Sequence, residues 1–228
     1  TVTAPPVNEA LARIEAELAA CWAAPEEQSG RPMTKVRSST MTYAVVTNQS
    51  DIDRAREATD HVADSHPGRA FVLTVDGRFA PWDVDHDIRM ACRLDGGSQP
   101  ICHDWIELTF GAMACERAGS IVGSLALPEV PIVVEIGRGA PRTLITAIAS
   151  RTDRLIVDTA HTSVTRAAEI ASLFHAPVSD RQFVRTYSWR ELIARFFDDA
   201  LGALDEVRKV TIGRTPGGLT EPAALLLG

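Results

Sequence analysis

The sequence predicts an α/β three-layer sandwich with a mixed, mostly parallel central sheet and one antiparallel hairpin. Three stretches carry that prediction. Gln99 to Gly137 reads as a strand, a helix, a Pro-bounded turn and a second buried strand. Thr40 to Val75 repeats the strand–helix–strand order. Between them, Ile88 to Leu108 is broken by Asp95-Gly96-Gly97-Ser98, as a hairpin would be. Two β-α-β units imply right-handed crossovers between parallel strands.

From the start of the chain, Leu11, Ile14, Leu18 and Trp22 recur at helical spacing, so Val7 to Trp22 is an amphipathic helix on the outside of the domain. Ala23 to Pro32 is polar and rich in breakers, a linker. Thr40 to Thr47 (TMTYAVVT) is a strand, and Asn48-Gln49-Ser50 lead into a helix over Ile52 to Ala63. His66-Pro67-Gly68 stop it, because proline cannot continue a helix, and Arg69 to Val75 is the next strand.

Asp76 to Asp87 reads as a loop, and Ile88 to Leu94 alternates as a strand with one buried face. Ile101 to Leu108 pairs with it and Gly111 ends the hairpin. Ala112 to Leu127 follows as a helix whose small residues, among them Ala118, Gly119 and Gly123, permit close packing. After Pro128 and Pro131, Ile132 to Ile136 is the apolar run of a strand covered on both faces. A Gly137-Arg138-Gly139 loop, a helix near Arg142 to Ser150, a short strand over Arg154 to Val157 and a helix over Ser163 to Phe174 continue the alternation. Trp189 to Leu204 is a stronger amphipathic helix carrying Leu192, Ile193, Phe196, Phe197 and Leu201. The expected organisation is an N-terminal helix and linker over 1–32, an α/β domain over 33–204, and a C-terminal arm or remnant of a second domain over 205–228.

Composition narrows the function classes. With 45% hydrophobic and 23% charged residues the chain suits a globular domain. A net charge of −7 argues against general nucleic-acid binding, which needs a basic face. No run approaches the roughly 20 apolar residues of a membrane span, and no signal-peptide pattern opens the chain. Cys21, Cys92, Cys102 and Cys115 lack the density of a secreted disulfide scaffold, so the expectation is a cytoplasmic protein with reduced thiols.

Catalytic and cofactor signatures are missing. The Gly137 to Gly139 and Gly213 to Gly218 segments fail as phosphate loops. Asp83, Asp85 and Asp87 with His86 lack the glycine turn and distal glutamate of a calcium loop. The cysteines and His103 match no zinc spacing, so no metal and no cofactor is expected. Two other features are informative. A hairpin turning about Gly97 sets Cys92 directly opposite Cys102, on a face shared with Met90 and Ile106. Such thiols are candidates for joint oxidation, or else serve as small buried hydrophobes. Arg37 and Arg69 stand at strand starts, where they bind an anion or carboxylate, or make structural salt bridges.

Several segments together resemble the glucose-6-phosphate dehydrogenase assembly protein family (OpcA). They are Arg37 with TMTYAVV, His66-Pro67-Gly68-Arg69-Ala70, and the run Ile101 to Leu108 (ICHDWIEL) with Gly111. Leu127 to Val134 (LPEVPIVV), Thr152 to Thr159 (TDRLIVDT) and Tyr187 to Leu192 (YSWREL) with Phe196-Phe197-Asp198 complete the series. The order holds from about Arg37 to Asp199. The chain departs from the family pattern at Glu135-Ile136, where a tryptophan pair is usual, and at Gly68, where serine is usual.

The resemblance implies a non-catalytic accessory protein that binds glucose-6-phosphate dehydrogenase and promotes its assembly or allosteric activation, with thiol redox regulation in some members. Arg37, Arg69, Trp189 and Arg190 are then the partner-binding candidates, because Trp and Arg are over-represented in interface hot spots. Cys92 and Cys102 are the redox candidates. A homo-oligomer is possible on this reading. The competing reading is a small-molecule sensor or enzyme that takes a sugar phosphate or nucleotide beyond the carboxyl ends of the strands, at Asn48, Gly137 to Gly139 and Asp158. An apolar patch near Trp189 favours the first; a bound sugar phosphate or nucleotide favours the second.

Overall fold

The computed structural model describes residues 7–24, 26–28, 31–33, 35–94, 100–198, 202, 206–209 and 211. Helix α1 (Val7–Ala23) leads into a small antiparallel ladder of β1 (Glu26–Gln28) and β2 (Arg31–Met33). The main sheet holds β3 (Val36–Arg37), β4 (Met41–Val46), β5 (Gly68–Val75), β6 (Val84–Leu94), β7 (Pro100–Phe110), β8 (Ile132–Ile136), β9 (Arg154–Val157) and β10 (Val178–Asp180). The helices among them are α2 (Ile52–Ser65), α3 (Ala118–Leu125), α4 (Arg142–Ala149), α5 (Val164–Ala171), α6 (Arg181–Arg185) and α7 (Tyr187–Phe197).

The sheet runs β10-β9-β8-β4-β5-β7, with β6 paired along the outer edge of β7. β3 extends the line of β5, pairing with β7 at Ile101 and Cys102, before the β5 pairing begins at Asp104. Every pairing in this sheet is parallel except β6 with β7, so the predicted class and its one hairpin are present. The chain leaves β4 through α2 toward β5 on one side, and reaches β8 and β9 on the other. β4 and β8 therefore flank the point where strand order reverses.

Successive residues on the central strands enter two cores. Ala44, Val46, Phe71, Leu73, Ile106, Leu108, Val134, Ile136 and Leu155 face α1, α3, α4 and α5, and bury Ile14, Ile121, Leu144, Ile145, Ile148 and Ile170 against them. Tyr43, Val45, Val72 and Val133 face the opposite way, against Ala55 of α2. This two-sided burial is why β4, β5 and β8 read as continuous apolar runs. It also shows an asymmetry: four helices cover one face, and α2 packs on the other. Ile14 and Leu18 place α1 in the larger core rather than beside it.

Local differences from the sequence reading have identifiable causes. The helix expected from Ala112 begins as α-helix only at Ala118, after a 3-10 turn over Ala114–Arg117. The amides of Met113 and Ala114 donate to the Pro81 carbonyl, a long-range contact that holds the first turn away from helical geometry. The loop expected to run to Asp87 ends at Val84, because β6 pairs with β7 out to Phe110. The helix expected over Trp189 to Leu204 begins at Tyr187, follows a separate short helix, and is described only to Phe197. β3, β10 and the β1–β2 ladder inside the expected linker have no counterpart in the sequence reading. The Asp95 to Ser98 turn and most of the 205–228 arm lie outside the described residues.

Gly68 opens β5 against β4 so closely that a Cβ there would stand 2.1 Å from the Met41 carbonyl oxygen. Only glycine fits that approach. No helix among the described residues is long and apolar enough to cross a membrane.

Candidate partner interface and its supporting frame

α6 is anchored at the carboxyl end of β9. Asp180 accepts from the Gln182 amide at 3.1 Å and from the Thr159 hydroxyl at 2.8 Å, while the Gln182 side chain donates to Asp158 at 2.6 Å. Burial opposes ionisation of Asp158. Its bonds from Gln182 and the Ala160 amide, with the charges of His161 and Arg181, nonetheless hold its pKa below the ordinary value. α7 turns away from this anchor. Arg190 fastens it to α6: its guanidinium carbon lies 3.3 Å from the Phe183 ring centre and Nη2 donates to the Phe183 carbonyl at 2.9 Å.

No residue of α7 is buried. Trp189, Leu192, Ile193 and Phe196 fall at i, i+3, i+4 and i+7, one stripe of the helix. They are 63%, 59%, 45% and 79% exposed. Val184 and Tyr187 extend the apolar surface toward α6, and both are exposed. A three-turn helix gains little from propensity alone, so packing of its apolar face is what ordinarily stabilises it. Here that face is presented to solvent, and a contiguous apolar patch of this kind marks an interaction surface.

The other partner-binding candidates divide. Arg69 is 8% exposed, and its guanidinium clasps both oxygens of Asp104 at 2.7 and 3.0 Å while also donating to the Leu125 carbonyl. A partner cannot reach it, so the expectation of Arg69 as a contact residue gives way to an internal role. Arg37 reaches the same carboxylate at 3.3 Å and lies over the Trp22 ring at 4.2 Å, yet its side chain remains 41% exposed. Trp22 adds a bond from Nε1 to Asp104 at 2.9 Å. One buried carboxylate on β7 thus ties α1, β3, β5 and the end of α3 together. Trp189 stays accessible, and Arg190 serves mainly as the clasp between α6 and α7.

Cys92 and Cys102 sit directly opposite on β6 and β7, Cα atoms 4.0 Å apart, and are joined as a disulfide. That corrects the expectation of four reduced thiols: the register sets these two side by side, whereas Cys21 and Cys115 are free. Burial raises the Cys115 thiol pKa above its ordinary value. At the carboxyl ends of β8 and β9, Gly137, Gly139 and Asp158 do come together around a cavity of about 230 Å³. Asn48 closes on Gly139, which has a φ of +65° and where a Cβ would stand 2.0 Å from the Asn48 side-chain nitrogen. The Asn48 side-chain oxygen accepts from the Asp51 amide and the Ser50 hydroxyl, so it caps its own helix.

A second buried carboxylate lies on the α2 side of the sheet. Glu135 accepts from the Tyr43 hydroxyl at 2.5 Å and from Arg181 at 2.7 Å. Burial first, then the Glu135 charge and hydrogen bond, push the Tyr43 phenol well above its ordinary range. Tyr43→Phe is expected to cost about 1.5–3 kcal/mol, the range for a hydrogen bond to a charged group, read from the urea midpoint. Linkage adds a sign. The unfolded chain ionises its tyrosine near pH 10.0 and the folded chain does not, so wild-type stability falls as pH rises beyond that value. The phenylalanine variant lacks that component of the alkaline loss.

Asp104, Tyr43 and Glu135 were missed from sequence because their partners lie 35 to 92 positions away. The only available signal was an ionisable residue inside each apolar strand. A model of the OpcA family, described as glucose-6-phosphate dehydrogenase subunit N-terminal domain, matches residues 59–173, from α2 to just past α5. No curated protein and no solved structure matches the chain.

Proposed function

The chain belongs to the OpcA glucose-6-phosphate dehydrogenase assembly family, and from that premise we propose that it is an accessory protein that binds glucose-6-phosphate dehydrogenase and promotes its assembly or activation without catalysing a reaction itself. The observation that carries the proposal is the exposed apolar stripe of α7, which none of the described residues buries. A helix presenting anchors at i, i+3, i+4 and i+7 suits insertion into an apolar groove on a partner. Trp189 is the central anchor, with Leu192, Ile193 and Phe196 around it. Arg37, exposed on the Asp104 frame, is a secondary contact candidate.

The mechanism is differential binding. An accessory protein raises the population of an active oligomer only by binding it more tightly than the inactive form, and the shift equals that difference in affinity. The cytoplasm is the compartment this role implies. The test is dehydrogenase activity across an enzyme dilution series, with and without this protein. Activation that saturates and is greatest at low enzyme concentration supports the reading; unchanged kinetics at high excess refute it.

The Cys92–Cys102 disulfide supports a redox component in the same role. Its bond clamps the edge strand β6 to β7, beside Asp104. Activation by wild type that differs between oxidising and reducing buffers, and activation by Cys102→Ser that does not, is the pattern it predicts.

A further inference from the structure

α2 shields only part of its face of the sheet. A helix is about 10 Å across and strands lie about 4.8 Å apart, so one helix covers about two strands. The two uncovered flanks differ in chemistry. Over β7 and β6 the surface is closed by charge: Arg56 pairs with Glu107 at 2.7 Å, and Arg89 with Glu107 and Asp87 at 2.5 and 2.9 Å. Over β8 and β9 it is apolar and open. Met41, Val62, Val133 and Ile156 line a groove of about 670 Å³, within the size range of small-ligand sites.

The groove also carries fixed charge. Arg54, Arg154 and Arg181 line it against Glu57 and Glu135, three positive groups against two negative. Glu135 is already engaged by Arg181 and Tyr43. Among the described residues, the Arg154 side chain bonds only to the Ser179 hydroxyl and Arg54 makes no ion pair. With Arg181 set against Glu135, two guanidinium groups stand against the one carboxylate of Glu57, and an apolar floor with that net positive edge fits one kind of occupant.

We propose that this groove binds a small amphipathic anion, an aromatic or acyl body bearing one acidic group. The body lies on Val133 and Ile156, and the acid meets Arg54 and Arg154. The site is separate from the α7 stripe and does not depend on the dehydrogenase reading.

The test titrates the full chain with two fluorescent probes of the same ring system: anilinonaphthalene sulfonate, which carries the acid, and N-phenylnaphthylamine, which lacks it. Methyl NMR locates the bound probe. The sulfonate is expected to bind one per chain and about tenfold more tightly, the worth of one charge-assisted bond. Its methyl shifts fall on Val62, Val133 and Ile156. Arg54→Gln with Arg154→Gln reduces its affinity to that of the neutral probe, and Ala58→Trp, which fills the groove from α2, abolishes both. Should Ala58→Trp fail to fold, the arginine pair decides alone. Equal affinity for the two probes, or shifts confined to Leu192 and Ile193, would overturn the proposal.

Discussion

Replacing Trp189 with alanine is expected to weaken binding to glucose-6-phosphate dehydrogenase by about 2 kcal/mol or more, roughly 30-fold, while leaving the fold intact. The two halves of this expectation come from the same fact. Trp189 is 63% exposed on a helix that buries no residue, so its truncation removes almost no native packing. Stability should change by no more than about 0.5 kcal/mol, as for most surface substitutions. Whatever function is lost must then be lost at the interface. Phe196→Asp, 79% exposed in wild type, should act in the same direction by placing a charge in the apolar stripe. Calorimetry of the complex reads the affinity and thermal unfolding of the free protein reads the stability. A melting temperature that falls by several degrees would mean that α7 packs on the body in solution.

Asp104→Ala should do the reverse, destabilising the protein strongly. Asp104 is 2% exposed and accepts bonds from Arg69, Arg37 and Trp22. Its removal strands the Arg69 guanidinium in the core with only the Leu125 carbonyl. Breaking a buried ion pair by deleting one partner costs about 3–5 kcal/mol, because the remaining charge is uncompensated. For a chain of this size that corresponds to a fall in melting temperature of roughly 6–20 °C. Arg37→Ala removes the half-exposed member of the same cluster, where solvent screens the charge, and should cost about 1 kcal/mol or less. The ordering of these two variants, rather than either value alone, tests whether Arg69 and not Arg37 is the structural partner.

The sequence made local structure legible wherever a periodicity was enforced by burial. β4, β5 and β8 bury residues on both faces, and they read as strands. The hairpin register that sets Cys92 against Cys102 followed from the position of Gly97 alone. Long-range pairings left no such trace. Nothing local says that β8 docks beside β4 rather than β7, that Asp104 collects arginines from two other strands, or that Pro81 reshapes the entry to α3. The α7 stripe was visible as amphipathic, but a 3.6-residue period does not distinguish a helix facing a core from one facing a partner. That distinction appeared only when the sheet faces were accounted for and α7 lay on neither.

The most direct test of the account is sedimentation velocity of glucose-6-phosphate dehydrogenase, diluted until it dissociates, with this protein added in increasing amounts. The expected result is a shift of the dehydrogenase toward its larger species that co-sediments with wild-type protein and disappears with Trp189→Ala. An unchanged distribution with wild type at saturating excess, or an equal shift with Trp189→Ala, would contradict it.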